Sequence, residues 1–442
     1  MGLGSSVSVE QKQVEPCGTV KGTVRVPGDK SISHRAAMLS ALGAGQSAIT
    51  GFLQSEDCLC TLRAVEALGA EVSREGDTVI IIGTGGVFRA PDGVLDLGNS
   101  GTGMRLLAGL LAGQDFASEM TGDSSLLSRP MTRIKDPLEM MGARVDLLGG
   151  DGCGPVRVSG GSLHAIEYVL PVASAQVKSC VLLAGLFAKG ETTAVEKKPT
   201  RDHTERMLRR LGADIRIDGL RVSLGHAGYD GVPDLPSLNW DVPGDFSSAA
   251  FFVTAAACRP GSDVRIENIG LNPRRTAFLN VLRRMGADVE AKPVEGSDDE
   301  WEPAGTIHVR GADLVGVDVG GKDIPNMIDE LPLVAVAAAA ADGVTTMRDA
   351  AELRIKESDR IAAVASALSV LGVDVEERPD GMVIRGGRRF AGGAPVESLG
   401  DHRIAMAMAV AGLLADAPVV IRGTACTETS YPGFWADLDK LR

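Results

Sequence analysis

The sequence predicts an α/β protein of two similar domains, each made of three βαβαββ-type units with buried helices and outer sheets. Three observations lead there. Six short polar motifs, beginning at Gly28, Gly98, Val172, Gly244, Ile324 and Gly400, stand 70, 74, 72, 80 and 76 residues apart. Each precedes a stretch rich in Ala and Leu on all sides, as in a helix buried all round. A Leu-Gly-Ala-like signature then closes a second helix in the first five units. A fixed period of this length marks an array of supersecondary units.

The units repeat one order of elements. Helix openings read Gly28-Asp29-Lys30-Ser31, Gly98-Asn99-Ser100-Gly101, Val172-Ala173-Ser174-Ala175-Gln176, Gly244-Asp245-Phe246-Ser247, Ile324-Pro325-Asn326-Met327 and Gly400-Asp401-His402-Arg403. A strand follows each apolar helix, at Ala48-Ile49-Thr50, Glu119-Met120-Thr121, Thr192 to Val195, Val264-Arg265-Ile266, Thr345-Thr346-Met347 and Val419-Val420-Ile421. Next comes an amphipathic helix with apolar residues at i, i+3 and i+4, such as Leu62, Val65 and Leu68. It ends at Leu68-Gly69-Ala70, Met141-Gly142-Ala143, Leu211-Gly212-Ala213, Met285-Gly286-Ala287 or Leu371-Gly372-Val373. Glycine there suits a left-handed C-terminal cap, and alternating residues then predict a strand.

The sixth unit stops at Leu441 without a closing strand, so Gly22 to Val26 is expected to supply a strand to the C-terminal half. The chain then crosses between halves near Pro27-Gly28 and near Pro243-Gly244. One domain is expected over 28–243 and the other over 1–27 with 244–442, with the active site in the cleft between them. An interaction solenoid, the other reading of such a repeat, does not require the unit-specific charged residues found here.

A chain of 442 residues is too long for one ordinary core. Its formal net charge of −13 argues against nucleic acid, whose phosphates require a basic surface. The aromatic content of 4 % also removes stacking platforms. Seven cysteines without a CxxC pair fit a reducing compartment and read as small buried hydrophobes rather than as a zinc site or disulfides. The longest apolar runs, such as Leu331 to Ala341, fall short of a membrane span, and no secretory leader is visible. A cytoplasmic protein is expected.

Unpaired N–H groups and the macrodipole make a helix N-terminus attract anions. Lys30 and Ser31 fall at such a start, with Arg35 one turn on, a phosphate or carboxylate site. Gly101 follows a strand and opens a helix, allowing close backbone approach to a ligand, although its surroundings match no dinucleotide or Walker pattern. Arg129 and Arg201 occupy matching linkers of units two and three. A lone loop arginine is usually a surface charge, but a matched pair suits bidentate recognition of carboxylate or phosphate. Ser174, Ala175 and Gln176 open the third apolar helix; Lys178 reads equally as a site residue and as a lysine snorkelling at a helix edge.

Asp329 and Glu330 stand at the mouth of a buried helix, as general-base candidates or as capping acids. Arg354 to Arg360 packs Lys356, Glu357 and Arg360 into a charged run that also reads as an exposed, salt-bridged helix start. Asp401-His402-Arg403 adds a triplet whose histidine is either titratable or structural. Together these sites supply several cations and two or three carboxylates to one cleft. That suits a reaction joining two anionic substrates with proton transfer.

These residues resemble those of the 5-enolpyruvylshikimate-3-phosphate (EPSP) synthase family, from Gly22 to Trp435 and through the motifs at Gly28–Arg35, Gly98–Arg105, Ser174–Gln176, Arg354–Arg360 and Asp401–Arg403. The runs Ser174 to Ser179 and Thr200 to Thr204 are similar to its bacterial class II branch. The resemblance implies the enolpyruvyl transferase fold, and transfer of the enolpyruvyl group of phosphoenolpyruvate to the 5-hydroxyl of shikimate 3-phosphate, with release of phosphate, by a cytoplasmic monomer of the chorismate pathway. It implies that Lys30, Ser31, Arg35, Ser174, Ala175, Gln176, Arg201, Asp329 and Lys356 hold shikimate 3-phosphate. Lys30, Gly101, Arg129, Gln176, Arg360 and Arg403 would hold phosphoenolpyruvate. Asp329 and Glu357, with Lys30, are the implied catalytic residues, and no cofactor or metal is implied.

The loop Cys426 to Pro432 lacks a lysine that many family members carry there, as the class II branch tends to. Glycine at 101 implies sensitivity to glyphosate, with Leu106 where class I enzymes usually have proline. The sister transferase acting on UDP-N-acetylglucosamine is the alternative. It usually carries a reactive cysteine after the second apolar helix, and Ala112 to Leu138 contains none. A non-catalytic binding protein of the same fold is the third reading.

Overall fold

The computed structural model of the protein describes residues 10–225, 228–229, 232–294, 301–387 and 390–442. Residues 1–9 of the expected 1–27 segment lie outside the described residues. Each of the first five units has a short leading strand, a buried helix, a strand parallel to the leader, a second helix and an antiparallel hairpin. Unit two shows it completely: Leu95–Asp96, Gly101–Ala112, Ala117–Thr121, Thr132–Met140, Arg144–Leu147 and Val156–Ser159. Its strands pair in the order 95–96, 117–121, 156–159, 144–147, and units one, three, four and five repeat that order.

The buried helices are Lys30–Leu42, Gly101–Ala112, Ala175–Gly185, Phe246–Ala257, Leu331–Ala340 and His402–Leu413. The first three and their sheets share one hydrophobic core, running from Ile32 to Val242. The last three share a second, from Val14 to Val24 and Phe246 to Leu441. Each large apolar side chain carried into these cores contributes on the order of 2 kcal/mol. The glycines of the closing signature, Gly69, Gly142, Gly212, Gly286 and Gly372, have φ between 84° and 107°, which a β-carbon would strain.

The leading strands of units one and four are exchanged between the halves. Trp240–Asp241, late in the first half, pairs in parallel with Ala44–Thr50 of unit one. Lys21–Val24, from the N-terminal segment, pairs in parallel with Asp263–Gly270 of unit four. The expected strand at Gly22 to Val26 therefore exists and joins the C-terminal half, but it does not close unit six. Gln11–Val14 does that, antiparallel to Val419–Arg422. Only Val14 of those four residues is buried, so the strand carries almost no alternation to announce it.

The two crossings lie against each other. Asp29 N donates to Pro243 O at 2.8 Å, and Asp245 N to Pro27 O at 2.8 Å. A β-carbon on Gly28 would stand 1.8 Å from Gly51 O, so only glycine fits this contact. Asp29 caps the first buried helix through Ile32 N, and Asp245 caps the fourth through Ser247 N and Ser248 N. Asp245 also accepts from Lys30 N at 3.0 Å, tying the opposing helix start to its own.

Unit five departs from the expected opening. Gly321–Asn326 forms a 3-10 turn, and the buried helix begins only at Leu331. Glu330 holds the N-cap position without a side-chain cap bond, which removes its capping role. No helix among the described residues is long and apolar enough to cross a membrane.

Candidate functional site

The starts of these helices converge on a cavity of about 380 Å³. It is lined by Lys30, Ser31, Gly101, Arg129, Ser174, Ala175, Gln176, Arg201, Asp329, Lys356, Glu357 and Arg403. Arg35 and Arg360 do not line it. Arg35 stands behind the wall and donates to Ser31 O at 2.9 Å, Thr204 Oγ1 at 2.7 Å and Ser179 Oγ at 2.8 Å. Burial pushes its guanidinium down to about 10. Arg360 is 1 % exposed and holds Asp401, Glu357 and Asp329 from beneath.

The first three units contribute mainly cations and hydrogen-bonding groups. Lys30 Nζ donates to Asp57 Oδ2 at 2.7 Å. Burial opposes the ammonium charge, but Asp57 and Glu357 outweigh it and raise the Lys30 pKa. Arg129 donates to Asn99 Oδ1 at 2.6 Å and approaches Glu357 Oε1 at 3.5 Å. Gln176 accepts from Arg105 Nη1 at 2.7 Å and donates to Thr102 Oγ1 at 2.9 Å, which fixes its amide at the helix start. Ser174 caps that helix through Val177 N.

The last three units contribute the carboxylates. Asp329 pairs with Arg201 across the cleft, with Arg360 at 3.2 Å, and with Lys356 and Arg403 at 3.8 Å. Burial pushes its carboxyl up, yet Arg403, Arg201, Lys356 and Arg360 together hold it well below the carboxylate range. Glu357 pairs with Arg360 at 2.5 Å. Burial acts against its charge as well, and Arg360, Arg129 and Lys356 hold it well below its ordinary value. Burial lowers Lys356, and together with the nearby Lys30 charge it lowers His402 to about 3. At neutral pH Asp329 and Glu357 are thus both ionised within a cage of cations, with a neutral imidazole beside them.

A family model described as EPSP synthase (3-phosphoshikimate 1-carboxyvinyltransferase) matches residues 14–438. The chain belongs to the EPSP synthase family. The 3-phosphoshikimate 1-carboxyvinyltransferase of Salinibacter ruber is 50 % identical over 437 residues, which cover 97 % of this chain and 98 % of that one. The enzyme of that name from Pelotomaculum thermopropionicum is 52 % identical over 418 residues, 94 % of this chain and 95 % of its own. A solved EPSP synthase from Acinetobacter baumannii superposes with a TM-score of 0.85 at 44 % identity, covering 98 % of each chain. An enolpyruvyl transferase from Streptomyces tendae, NikO, shares the fold, with a TM-score of 0.79 at 18 % identity over 98 % of each chain.

Several residues lining this cavity escaped the sequence reading. Asp57 sits in the second helix of unit one, where acids normally face solvent. Arg133 forms a two-bond pair with Glu352 across the cleft, at 2.8 and 3.0 Å. Arg275 is 3 % exposed and lies between a strand and a helix with no motif around it. Position in the repeat could have flagged Arg133, which follows Arg129 by one turn. Lys178 is not a cleft residue: fully buried, it pairs with Glu196 at 3.0 Å and Glu205 at 2.7 Å. His402 does line the cavity. Within the charged run, Arg354 pairs with Asp359 and Glu377 near the surface, while Lys356 and Glu357 face the cleft.

Proposed function

We propose that the cleft of this 3-phosphoshikimate 1-carboxyvinyltransferase moves the enolpyruvyl group of phosphoenolpyruvate onto the 5-hydroxyl of shikimate 3-phosphate. The observation that carries the reading is the pair Asp329 and Glu357, both lining one cavity and each caged by cations. Lys30, Ser31, Ser174, Ala175, Gln176, Arg201 and Lys356 hold shikimate 3-phosphate, with Arg35 bracing Ser31 from behind. Lys30, Gly101, Arg129, Gln176 and Arg403 hold phosphoenolpyruvate, and Arg360 sets Glu357 and Asp329. Segments 28–243 and 1–27 with 244–442 act as two domains closing over the substrates. The runs at Ser174 and Thr200 support a class II assignment within the family.

Glu357 delivers a proton to the methylene carbon of phosphoenolpyruvate, making the adjacent carbon electrophilic. The 5-hydroxyl oxygen bonds to that carbon as Asp329 takes its proton, giving a tetrahedral intermediate. A methyl proton returns to Glu357 as the carbon–oxygen bond to phosphate breaks, which restores the double bond; the phosphate leaves as hydrogen phosphate with the proton that Asp329 had taken. The cations stay fixed against the phosphate and carboxylate charges throughout, so little reorganisation is needed.

Glu357 is ionised in the free site, so it must first gain a proton. The anionic groups of phosphoenolpyruvate compete for Arg129 and Arg360, weaken their hold on Glu357 and raise its pKa. Substrate binding then takes up a proton, which titration calorimetry in buffers of different ionisation enthalpy detects. We also assign this chain to the cytoplasm as a monomer that binds no nucleic acid, the last in keeping with its net charge of −13. Light scattering on the purified protein tests the monomer.

Phosphate release from phosphoenolpyruvate, with and without shikimate 3-phosphate, tests the reaction. Release only with both supports it. Release with UDP-N-acetylglucosamine instead moves the activity to the sister transferase, and silence with both leaves a binding protein.

A further inference from the structure

Glu330 is 0 % exposed where the buried helices of units four, five and six begin. Its Oε1 accepts from the Ser247 hydroxyl and lies 3.6 Å from Arg275 Nη1 and 3.7 Å from Arg403 Nη1. Arg275 also donates to Ser247 Oγ at 2.7 Å and approaches Asp245 Oδ1 at 3.5 Å. Glu330 Oε2, Arg275 Nε and Arg275 Nη1 have no hydrogen-bond partner, so charge holds this cluster more than a saturated bond network does.

A buried carboxylate is expensive, and an apolar residue of similar volume packs at least as well. Its retention between two guanidiniums that both line the cavity therefore points to the site. Arg403 donates to Asp329 O at 3.2 Å, and its Nε lies 3.8 Å from Asp329 Oδ1. Without Glu330, Arg403 would rely more on Asp329, whose carboxylate would then share the tether with its role as base. Glu330 takes over the tether and leaves Asp329 to the substrate hydroxyl.

We infer that Glu330, backed by Arg275, is a positioning residue that sets the Arg403 guanidinium for phosphoenolpyruvate. This rests on the reading of Arg403 as a ligand of that substrate. Glu330→Gln keeps a partner for the Ser247 hydroxyl and removes only the charge. It should raise the KM for phosphoenolpyruvate about ten-fold, the scale of a disturbed buried charge pair. The dissociation constant for shikimate 3-phosphate alone should stay within about two-fold. Arg403→Lys serves as the reference, and the double variant should be no worse than the poorer single, since both act on one group.

If Arg403→Lys raises that KM and Glu330→Gln leaves it unchanged, the positioning role is overturned and the ligand reading stands. If Arg403→Lys itself leaves it unchanged, the ligand reading fails and this inference with it. A fall in melting temperature with both substrates weakened equally assigns Glu330 a structural role and overturns the proposal. Should Glu330→Gln not fold, Arg275→Lys keeps the charge, shortens the reach and must give the same split between substrates.

Discussion

The two faces of the cleft are built from the same repeat and carry opposite chemistry. The first-half face presents Lys30, Arg129 and Arg201 beside hydroxyl and amide groups, with Asp57 paired to Lys30. The second-half face presents Asp245, Asp329 and Glu357, interleaved with Lys356 and Arg403. Burial raises the Asp57 carboxyl against the pull of Lys30, whereas Asp245, Asp329 and Glu357 are all held low by neighbouring cations that outweigh burial. One face is suited to gripping anions and the other to moving protons. The repeated unit supplies a helix start to each place around the cleft, and the side chains presented there differ from unit to unit.

The strongest test of that contrast lies in the two carboxylates. Asp329→Asn and Glu357→Gln each should lower turnover by ~10²–10⁴-fold with the fold retained, the range for a positioned acid or base. Phosphate release gives the rate and circular dichroism the fold. If Asp57→Asn were equally damaging, the assignment of proton transfer to the second face would not survive.

The cations should fail differently. Arg201→Ala should raise the KM for shikimate 3-phosphate, and Arg129→Ala that for phosphoenolpyruvate. A charge-assisted hydrogen bond contributes about 1.5–3 kcal/mol, or roughly ten- to a hundred-fold. Steady-state kinetics with each substrate varied separates the two. Loss of turnover at saturating substrate, without a change in KM, would put chemistry on the first face too.

How far the sequence exposed this site follows from where each partner comes from. The repeat was legible because its signals are local: a glycine with positive φ ends each second helix, and a polar motif opens each buried one. Lys30, Arg129 and Arg201 were legible for the same reason, lying at matched places in a period. The partners that define their chemistry were not. Arg201 meets Asp329 across 128 residues, and Lys30 N meets Asp245 across 215. Lys178 illustrates the limit: its helix position suggested the cleft edge, while Glu196 and Glu205 draw it inward. Trp240–Asp241 and Gln11–Val14 were missed as strands because two and four residues, with little alternation, leave no periodic trace.

Acid should affect the second face first. Asp245, Asp329 and Glu357 have lowered pKa values in the fold, so their stabilisation is complete above the ordinary carboxylate range near pH 4 and is lost as pH falls through the native values. Asp57 has the opposite sign: its raised value makes protonation favour the native state. Hydrogen exchange followed from pH 5 downward should show Leu331–Ala340 and Arg360–Val370 losing protection before Lys30–Leu42 and Gly101–Ala112. Simultaneous loss in all four helices would mean that these local charge differences do not govern acid stability.

The smallest change examines how tightly the first face is packed. A β-carbon on Gly101 would stand 2.9 Å from Arg105 Nη1, 3.1 Å from Arg129 Nη1 and 3.8 Å from Leu126 Cδ1. The two closest atoms are far ends of long side chains, so they can yield by a few tenths of an ångström. Gly101 is the first residue of its helix and does not need positive φ, so alanine costs the backbone nothing and should leave stability unchanged or slightly higher. Displacing Arg129 should raise the KM for phosphoenolpyruvate only a few-fold, on the order of 1 kcal/mol or less. The family resemblance implies that glyphosate competes for the space beside Gly101, so Gly101→Ala should weaken inhibition by more than it weakens substrate binding. Equal, weak inhibition of both forms would show that the space beside Gly101 does not limit what this face accepts. A larger loss for glyphosate than for substrate would show that the cations set affinity for anions and the missing β-carbon sets their permitted size.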